Sequence, residues 1–157
     1  MIIPGYIPLK DTSGPVLAGL LRAVRAVIAT MPSPQWVELL VQDDASPGLT
    51  EWDGVLPGMV KYTRNDANLG FAGNCNAGAA RASGRYLLFL NQDCYPLPGW
   101  YDALLAAFNT GASTGHQVGI VGPKLLFLPQ EGQPIDRLRL QSCGGWCLPT
   151  STALRSV

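Results

Sequence analysis

The sequence predicts an α/β fold in which a mostly parallel sheet is flanked by helices. Short apolar segments typical of strands alternate with segments of helical periodicity, which favours βαβ units with right-handed crossovers. The composition fits, because 47% of the 157 residues are hydrophobic and 14% are charged, and a parallel sheet covered on both faces is rich in apolar side chains. This length is enough for one domain with a sizeable core.

The first part of the chain contains three predicted strands and two predicted helices. Residues 2–3 begin a short buried strand. Residues 14–30 form an amphipathic helix, since their apolar positions recur with helical spacing. The apolar segment 36–42 predicts a second strand that runs into an acidic turn. A short helical stretch follows at about 49–56, and residues 60–63 form a third, short strand.

The later elements begin with an alanine-rich helix at about 72–82, which follows a Gly- and Asn-rich turn. Residues 86–90 (YLLFL) are continuously apolar, as is typical of a central parallel strand. The remaining predicted elements are a helix at about 99–108 and strands at 118–121 and 124–128. Periodicity fades from about residue 129, and the composition of residues 142–157 predicts a poorly ordered tail.

Composition and charge exclude several classes of protein. Lys plus Arg and Asp plus Glu each number 11, so there is no basic excess typical of nucleic-acid binders. No apolar run reaches the roughly 18 residues of a membrane span. The start does not resemble a signal peptide, which predicts a cytoplasmic location. The four cysteines are too few and too irregularly placed for a disulfide framework, so we expect reduced thiols.

Three predicted strands end in polar or turn-forming residues. These ends are Pro4-Gly5-Tyr6 after the first strand, Asp43-Asp44 after the second and Asn91-Gln92-Asp93 after the fourth. Ligands of an open α/β sheet bind outside the carboxyl ends of its strands. We therefore expect the three ends to form one site along that edge.

The acidic turn Asp43-Asp44-Ala45-Ser46 has two interpretations. Asp and Ser side chains commonly cap helices and turns by accepting backbone N–H bonds. A carboxylate at a strand end can instead accept the imide N–H of a pyrimidine base. With two adjacent acids, one can cap while the other binds.

The segment from Asn68 to Gly78 (NLGFAGNCNAG) also admits two interpretations. Its glycines and the following helix N-terminus can approach a diphosphate, or they can form a tightly packed turn. The glycine spacing does not match GxGxxG and the turn follows the third strand, which argues against a Rossmann dinucleotide site.

Asp93 is the candidate metal ligand. Mg²⁺ takes oxygen ligands, commonly one or two carboxylates plus substrate phosphates, and Asp93 at the end of an apolar strand suits that purpose. The alternative is a loop aspartate that caps the following helix.

Taken together, these segments resemble family 2 glycosyltransferases, especially the bacterial branch that includes rhamnosyltransferase-like enzymes. IIPGY is similar to the family's opening strand and turn, and VQDDAS to its VVDNGS or VDDGS segment. NLGFAGNCNAGAARASGRYLLFLNQD resembles the pattern NxGFxxGxNxGxxxAxGxYxLxLNPD almost without gaps, and WYDALLAAF and VGIVGPKLLF follow in order. The resemblance covers about residues 2–127 and implies a GT-A, Rossmann-like fold.

The resemblance implies a nucleotide-diphosphate sugar donor, a UDP- or dTDP-sugar, bound at the strand ends. Tyr6 matches the position next to the base, Asp43 the position that reads its imide, and Asp93 the metal-binding acid of a DxD-type motif, for Mg²⁺ or Mn²⁺. Asn76 also matches the family motif, with a structural role as its alternative. The residues predicted to bind the donor are Pro4, Tyr6, Asp43, Asn68, Gly73, Asn91 and Gln92.

The implied reaction is inverting transfer of a sugar to a hydroxyl of a glycan or lipid-linked acceptor, in bacterial polysaccharide or cell-envelope glycan synthesis. Two positions depart from the family pattern: Ile7 stands where Asn is common, and Asn91 replaces the first acid of a complete DxD, which predicts modest metal affinity. The downstream acids Glu131 and Asp136 do not lie in the ED-type motif that carries the family's catalytic acid. No catalytic base is assigned.

The sequence therefore predicts that residues 1–128 are the nucleotide-sugar-binding portion of a C-terminally truncated GT-A fold. Residues 129–157 are the start of an acceptor-side region or a poorly ordered tail. The apolar composition fits a surface that an acceptor half would cover, which predicts self-association. Two functions remain open: a glycosyltransferase, or a non-catalytic nucleotide-sugar-binding module. The cytoplasmic location is compatible with peripheral attachment to a membrane.

Overall fold

The structure of this chain is a computed structural model. It describes residues 1–8, 14–31, 36–47, 56–113, 118–127, 140–142, 145–147 and 154–156. The chain divides into two compact units, Met1–Gly99 and Trp100–Val157. Apart from Leu56, the short helix predicted at 49–56 lies outside the described residues, as do Glu131 and Asp136.

The first unit is built on a parallel three-stranded sheet. Its strands, in spatial order, are β1 (Ile2–Gly5), β2 (Leu39–Asp43) and β3 (Val60–Arg64). The register pairs Gly5 with Asp43 and Asp43 with Arg64, so the three strands end level with one another. The residues that follow these strands therefore share one edge of the sheet.

Helices cover both faces of this sheet. Helix α1 (Pro15–Thr30) begins with a proline and packs its buried apolar stripe into a core that includes Ile3. Helix α2 (Gly70–Arg81) packs close to the sheet at Gly78, where an added Cβ would lie 2.7 Å from the Ile2 side chain. Successive strand residues point to opposite faces, so α1 and α2 lie on opposite faces. The predicted α/β fold, a parallel sheet flanked by helices, is confirmed.

Residues 86–90 run beside β1, on the side away from β2. The Ile2 N–H donates to the Leu88 carbonyl at 2.8 Å, and the Leu90 N–H donates to the Ile2 carbonyl at 3.0 Å. Pro4 comes next on this side of β1, and proline has no N–H to continue a ladder. The pairing accordingly remains an isolated parallel bridge.

The prediction that residues 86–90 form a central parallel strand is wrong. A ladder interrupted after one bridge leaves the segment as an irregular edge, and three of its apolar side chains are nearly half exposed. These are Tyr86 (47%), Leu87 (49%) and Phe89 (47%).

The second unit contains one helix and two small antiparallel pairs. Its elements are α3 (Trp100–Ser113), β4 (Leu125–Leu126) paired with β5 (Leu140–Ser142), and β6 (Gly145–Cys147) paired with β7 (Leu154–Ser156). The pair β6–β7 lies in the segment predicted as a tail. The boundary between the compact units falls at Gly99, and the functional division at residues 128 and 129 stays a prediction.

Two strand predictions in this unit need correction. Residues 118–121 form no strand, and Ile120 is 81% exposed. In the predicted strand 124–128, the described pairing is limited to Leu125–Leu126. Apolar residues favour a strand when a neighbouring strand and a packed face are present, and sequence composition does not report either condition.

Candidate functional site

The carboxyl edge of the sheet brings the three predicted strand ends together. The Asp44 N–H donates to the Gly5 carbonyl at 2.9 Å, which joins the last residue of β1 to the residue after β2. The Gln92 side chain meets the backbone of Tyr6, with 2.9 Å between Oε1 and the Tyr6 nitrogen. The expected convergence is therefore present in the structure, and it is held by direct hydrogen bonds.

Asp43 is buried at this edge and both of its carboxylate oxygens accept from protein donors. Oδ1 accepts from the Ser46 N–H at 3.2 Å and from the Ser46 hydroxyl. Oδ2 accepts from the Tyr62 hydroxyl at 2.8 Å and from Arg64 Nη1 at 2.6 Å. Burial, together with the bond to Asp43, raises the pKa of Tyr62 to about 12, which keeps its phenol a donor. Asp43 is thus committed to holding the end of β2 against β3.

Asp44 is also buried, with 3% exposure, but its carboxylate is bound differently. Oδ1 accepts from Asn65 Nδ2 at 2.9 Å and from the Leu69 N–H at 2.8 Å, just before α2 begins. Among the described residues, Oδ2 has no hydrogen-bond partner. One oxygen of Asp44 therefore holds the entry to α2 while the other is left for a donor from outside the described protein.

A buried amide network lies beneath these acids, and sequence reasoning missed it. Asn65 Nδ2 donates to Asn74 Oδ1 at 2.9 Å, and Gln42 Nε2 donates to Asn65 Oδ1 at 2.9 Å. Asn74 Nδ2 donates to the Gln42 carbonyl at 2.9 Å. Gln42, Asn65 and Asn74 are 0%, 6% and 2% exposed. Satisfied buried networks of this kind are rigid, so the floor of the site is fixed.

The segment after β1 is anchored residue by residue. The Gly5 carbonyl accepts from the Asp44 N–H, Tyr6 bonds to Gln92, and the Ile7 N–H donates to the Ser46 hydroxyl at 2.8 Å. The Ile7 side chain is fully buried in the core, which accounts for an apolar residue where the family commonly has Asn. The Tyr6 side chain, 41% exposed, thus projects from a fixed backbone. Pro4 is buried within β1.

The structure explains the predicted residues near α2 largely by local geometry. Asn68 Oδ1 accepts from the Gly70 N–H at 3.0 Å, and Gly70 has a positive φ of 72° that favours glycine. A Cβ at Gly73 would lie 2.7 Å from the Leu69 Cβ, so packing requires glycine there. Asn76 is exposed, and the buried asparagine of this segment is Asn74. Donor contacts of Asn68 and Gly73 stay predictions.

The turn Asn91-Gln92-Asp93 closes through a bond from the Cys94 N–H to the Asn91 carbonyl at 3.0 Å. Asp93 is exposed, and its side chain makes no ion pair with any described residue. No group of three His, Cys, Asp or Glu residues suited to a metal is found in the described parts of the chain. The Cys94 thiol lies 3.9 Å from Asp93 Oδ1. A single carboxylate fits Mg²⁺ when donor phosphates and water complete the coordination, so the residues are compatible with that ion.

The chain matches a known protein family over most of its length. The profile of the family described as "Glycosyl transferase family 2" matches residues 10–141. The chain belongs to this family. The match spans most of the chain and confirms the resemblance seen in the sequence, although it does not distinguish a rhamnosyltransferase-like branch.

Individual relatives are much longer than this chain. It is 31% identical over 121 residues to a Drosophila melanogaster protein named "Putative polypeptide N-acetylgalactosaminyltransferase 13", which covers 68% of this chain and 22% of the relative. It is 34% identical over 93 residues to "Polypeptide N-acetylgalactosaminyltransferase 15" of Mus musculus, covering 55% of this chain and 14% of the relative. The chain thus spans about a fifth or less of these proteins.

Solved structures support the fold. S. aureus TarS matches with a TM-score of 0.51 and 22% identity, over 71% of this chain and 19% of TarS. TarS 1-349 in complex with UDP-GlcNAc matches with a TM-score of 0.50 and 20% identity, over 69% of this chain and 30% of that chain. At this identity, the likeness establishes a shared fold. In the described parts of this chain, no helix is long and apolar enough to cross a membrane.

Proposed function

We propose that the carboxyl edge of the sheet binds a nucleoside-diphosphate sugar and that the chain is the donor-binding portion of a glycosyltransferase. The observation that carries this proposal is the pair of buried acids after β2. Asp43 is fully engaged by protein donors, whereas Asp44 keeps one carboxylate oxygen without a partner among the described residues. A buried acceptor of this kind is costly unless it is satisfied.

The imide N–H of uracil or thymine is a suitable partner for that oxygen. We therefore place Asp44 at the base, in the position for which sequence reasoning chose Asp43. Tyr6 follows Gly5, whose carbonyl accepts from the Asp44 N–H, so Tyr6 and Asp44 lie at the same edge of the sheet. The exposed ring of Tyr6 can pack against the base. UDP-GlcNAc in the matched TarS structure is consistent with a uridine donor.

Asp93 would hold a divalent cation at the diphosphate end of the site. When bound, such an ion neutralises charge that develops on the leaving diphosphate. The residues of this chain then have the task of orienting the donor: Asp44 at the base, Tyr6 beside it and the turn 91–93 near the phosphates. The acceptor, as proposed from the family resemblance, is a glycan or lipid-linked hydroxyl in bacterial polysaccharide or envelope synthesis.

The proposal is tested by calorimetric titration of the wild type and Asp44→Asn with UDP and CDP, each with Mn²⁺. In the variant, Asn65 and Leu69 still need an acceptor, so the amide oxygen stays with them and the NH₂ group replaces Oδ2. We expect UDP affinity to fall by about tenfold or more, since a donor then faces the imide N–H. CDP presents an acceptor at the same ring position and should be favoured instead.

The matched control is Asp102→Asn, an exposed acid in the first turn of α3, which should bind UDP as the wild type does. Asp93→Ala should remove the Mn²⁺-dependent part of UDP affinity. Absence of UDP binding by the wild type at millimolar concentration would contradict the donor site. Unchanged UDP and CDP affinities in Asp44→Asn would remove Asp44 from the base.

A non-catalytic nucleotide-sugar-binding module is the second candidate function. It differs from the first candidate in needing no catalytic base, and none is assigned among the described residues, whereas donor contacts are proposed for Asp44, Tyr6 and Asp93. UDP binding with no hydrolysis or transfer, and transfer restored by a second polypeptide, would favour the module over the self-sufficient enzyme.

A further inference from the structure

The side chain of Gln92 makes two hydrogen bonds to the backbone of Tyr6. The Tyr6 N–H donates to Oε1 at 2.9 Å, and Nε2 donates to the Tyr6 carbonyl at 3.3 Å. A backbone N–H can only donate, so the bonding fixes which end of the carboxamide is oxygen. One side chain thus supplies both the acceptor and the donor that Tyr6 requires.

These two hydrogen bonds occupy the position of backbone bonds from a neighbouring strand, on the side of β1 away from β2. Alternate residues of a strand bond to the same side of a sheet, and on the side of β1 away from β2 these are Ile2, Pro4 and Tyr6. Ile2 bonds to the backbone of residues 88 and 90, and Pro4 has no N–H to donate. At Tyr6 the carboxamide of Gln92, which is chemically a peptide group, takes up the pairing.

The carboxamide is also held in place by its surroundings. A Cβ at Gly5 would lie 3.5 Å from Gln92 Oε1, so the amide packs directly on the end of β1. A Cβ at Gly19 would lie 3.8 Å from the Gln92 carbonyl oxygen and 3.7 Å from the Tyr95 hydroxyl, which places α1 against the same turn. The turn and its side chain are therefore supported by two elements of the first unit.

We propose that Gln92 is a positioning residue that acts on the donor through Tyr6. Its neighbour in the chain is Asp93, the proposed metal ligand, and its bonding partner is Tyr6, the proposed base contact. The carboxamide therefore sets the position of the base end of the site relative to the phosphate end. This inference rests on the proposed donor site, and it reassigns Gln92 from donor contact to support of Tyr6.

A double-mutant cycle tests how Gln92 acts. UDP affinity with Mn²⁺ is measured by calorimetry for the wild type, Gln92→Leu, Tyr6→Ala and the double variant. Leucine fills similar space without the two polar groups, and we expect about a tenfold loss of affinity in the wild-type background. In the Tyr6→Ala background the same change should cost less than about twofold. Equal losses in both backgrounds, or no loss in either, would overturn the inference.

A measurement without ligand separates this inference from the donor site itself. Amide hydrogen exchange, followed by NMR, should show the Tyr6 N–H exchanging about tenfold faster in Gln92→Leu. The Ile7 N–H, bound by the Ser46 hydroxyl, is the internal control and should keep its rate. Should Gln92→Leu fail to fold, Gln92→Asn shortens the side chain by one methylene and serves the same test.

The outcomes remain distinguishable. An unchanged Tyr6 exchange rate overturns the inference whether or not UDP binds. Faster Tyr6 exchange in a protein that binds no UDP supports the contact between Gln92 and Tyr6, overturns its role in donor positioning and contradicts the proposed function.

Discussion

The two ends of β2 carry the same kind of ion pair in different surroundings. At the amino end, Glu38 pairs with Lys61 at 2.7 Å, and at the carboxyl end Asp43 pairs with Arg64 at 2.6 Å. The first pair joins the residue before β2 to β3, and the second joins the last residue of β2 to β3. Their side-chain exposures differ, at 16% for Glu38 and 68% for Lys61 against 1% for Asp43 and 36% for Arg64.

The difference shows that burial changes how much a salt bridge matters for stability. A solvent-exposed pair contributes little, because water competes for both charges and the lysine loses freedom. At Asp43, removal of the cation would leave a buried carboxylate without its counter-charge, which is costly. The carboxyl end is therefore the less tolerant of the two, and it is also the end that carries the candidate site.

The largest expected effect is that of Asp43→Asn. The neutral amide replaces a carboxylate that accepts from Ser46, Tyr62 and Arg64, and one of its two ends can no longer accept. We expect the free energy of unfolding to fall by about 3 kcal/mol, measured by urea denaturation. Glu38→Gln is the matched control at the other end of β2, and equal losses in the two variants would contradict the comparison.

Tyr62→Phe should have an intermediate effect. It removes the hydroxyl that donates to the buried Asp43 carboxylate and that also hydrogen-bonds Arg64, while the ion pair of Arg64 with Asp43 remains. We expect a loss of about 1.5 kcal/mol in the free energy of unfolding. Tyr101→Phe is the control, since the Tyr101 hydroxyl has no hydrogen-bond partner among the described residues. A loss below about 0.5 kcal/mol for Tyr62→Phe would show that Arg64 and Ser46 alone satisfy Asp43.

Glu38→Gln should have the smallest effect, about 1 kcal/mol or less at neutral pH. The bonds from Lys61 and from the Ser83 N–H lower the pKa of Glu38 from 4.5 to about 2. A lowered carboxyl pKa contributes stability that is present above about pH 4.5 and is lost as the pH falls through about 2.

The measurement for this third variant is denaturation of wild type and Glu38→Gln between pH 7 and about pH 2, where their difference should shrink towards zero. Lys61→Met removes the same ion pair from the β3 side and leaves the Ser83 bonds, so its loss should also stay at or below about 1 kcal/mol. A difference that grows as the pH falls would contradict the assigned cause.

Much of the fold was predictable, because helical periodicity and alternation of elements are local properties of the chain. The helices α1 and α2 and the strands β1 to β3 were predicted within a few residues. Residues 86–90 were not, since their apolar sequence is that of a central strand. Whether they pair as a strand depends on the neighbouring strand β1. Its Pro4 lies 82 or more positions earlier in the chain and lacks the N–H that the ladder needs.

The candidate site was also predictable in part from the sequence. Position along the chain was enough to select the strand ends, because parallel strands place their carboxyl ends at one edge. The sequence of two adjacent acids could not tell which protein groups each carboxylate binds. Those partners are Tyr62 and Arg64 for Asp43 and Asn65 for Asp44, which approach from β3 and the residue after it.

The amino-acid sequence was enough to identify the family, the alternation of strands and helices, and the edge of the sheet at which polar residues lie. Three features became visible in the folded chain: which carboxylate oxygens accept hydrogen bonds, which asparagine is buried, and the bonds from Gln92 to the Tyr6 backbone. The physical reason is that hydrogen-bond partners at this edge are separated by as many as 86 residues. Local sequence patterns specify helices and strands. Whether a buried polar atom has a hydrogen-bond partner depends on which residues the fold brings next to it.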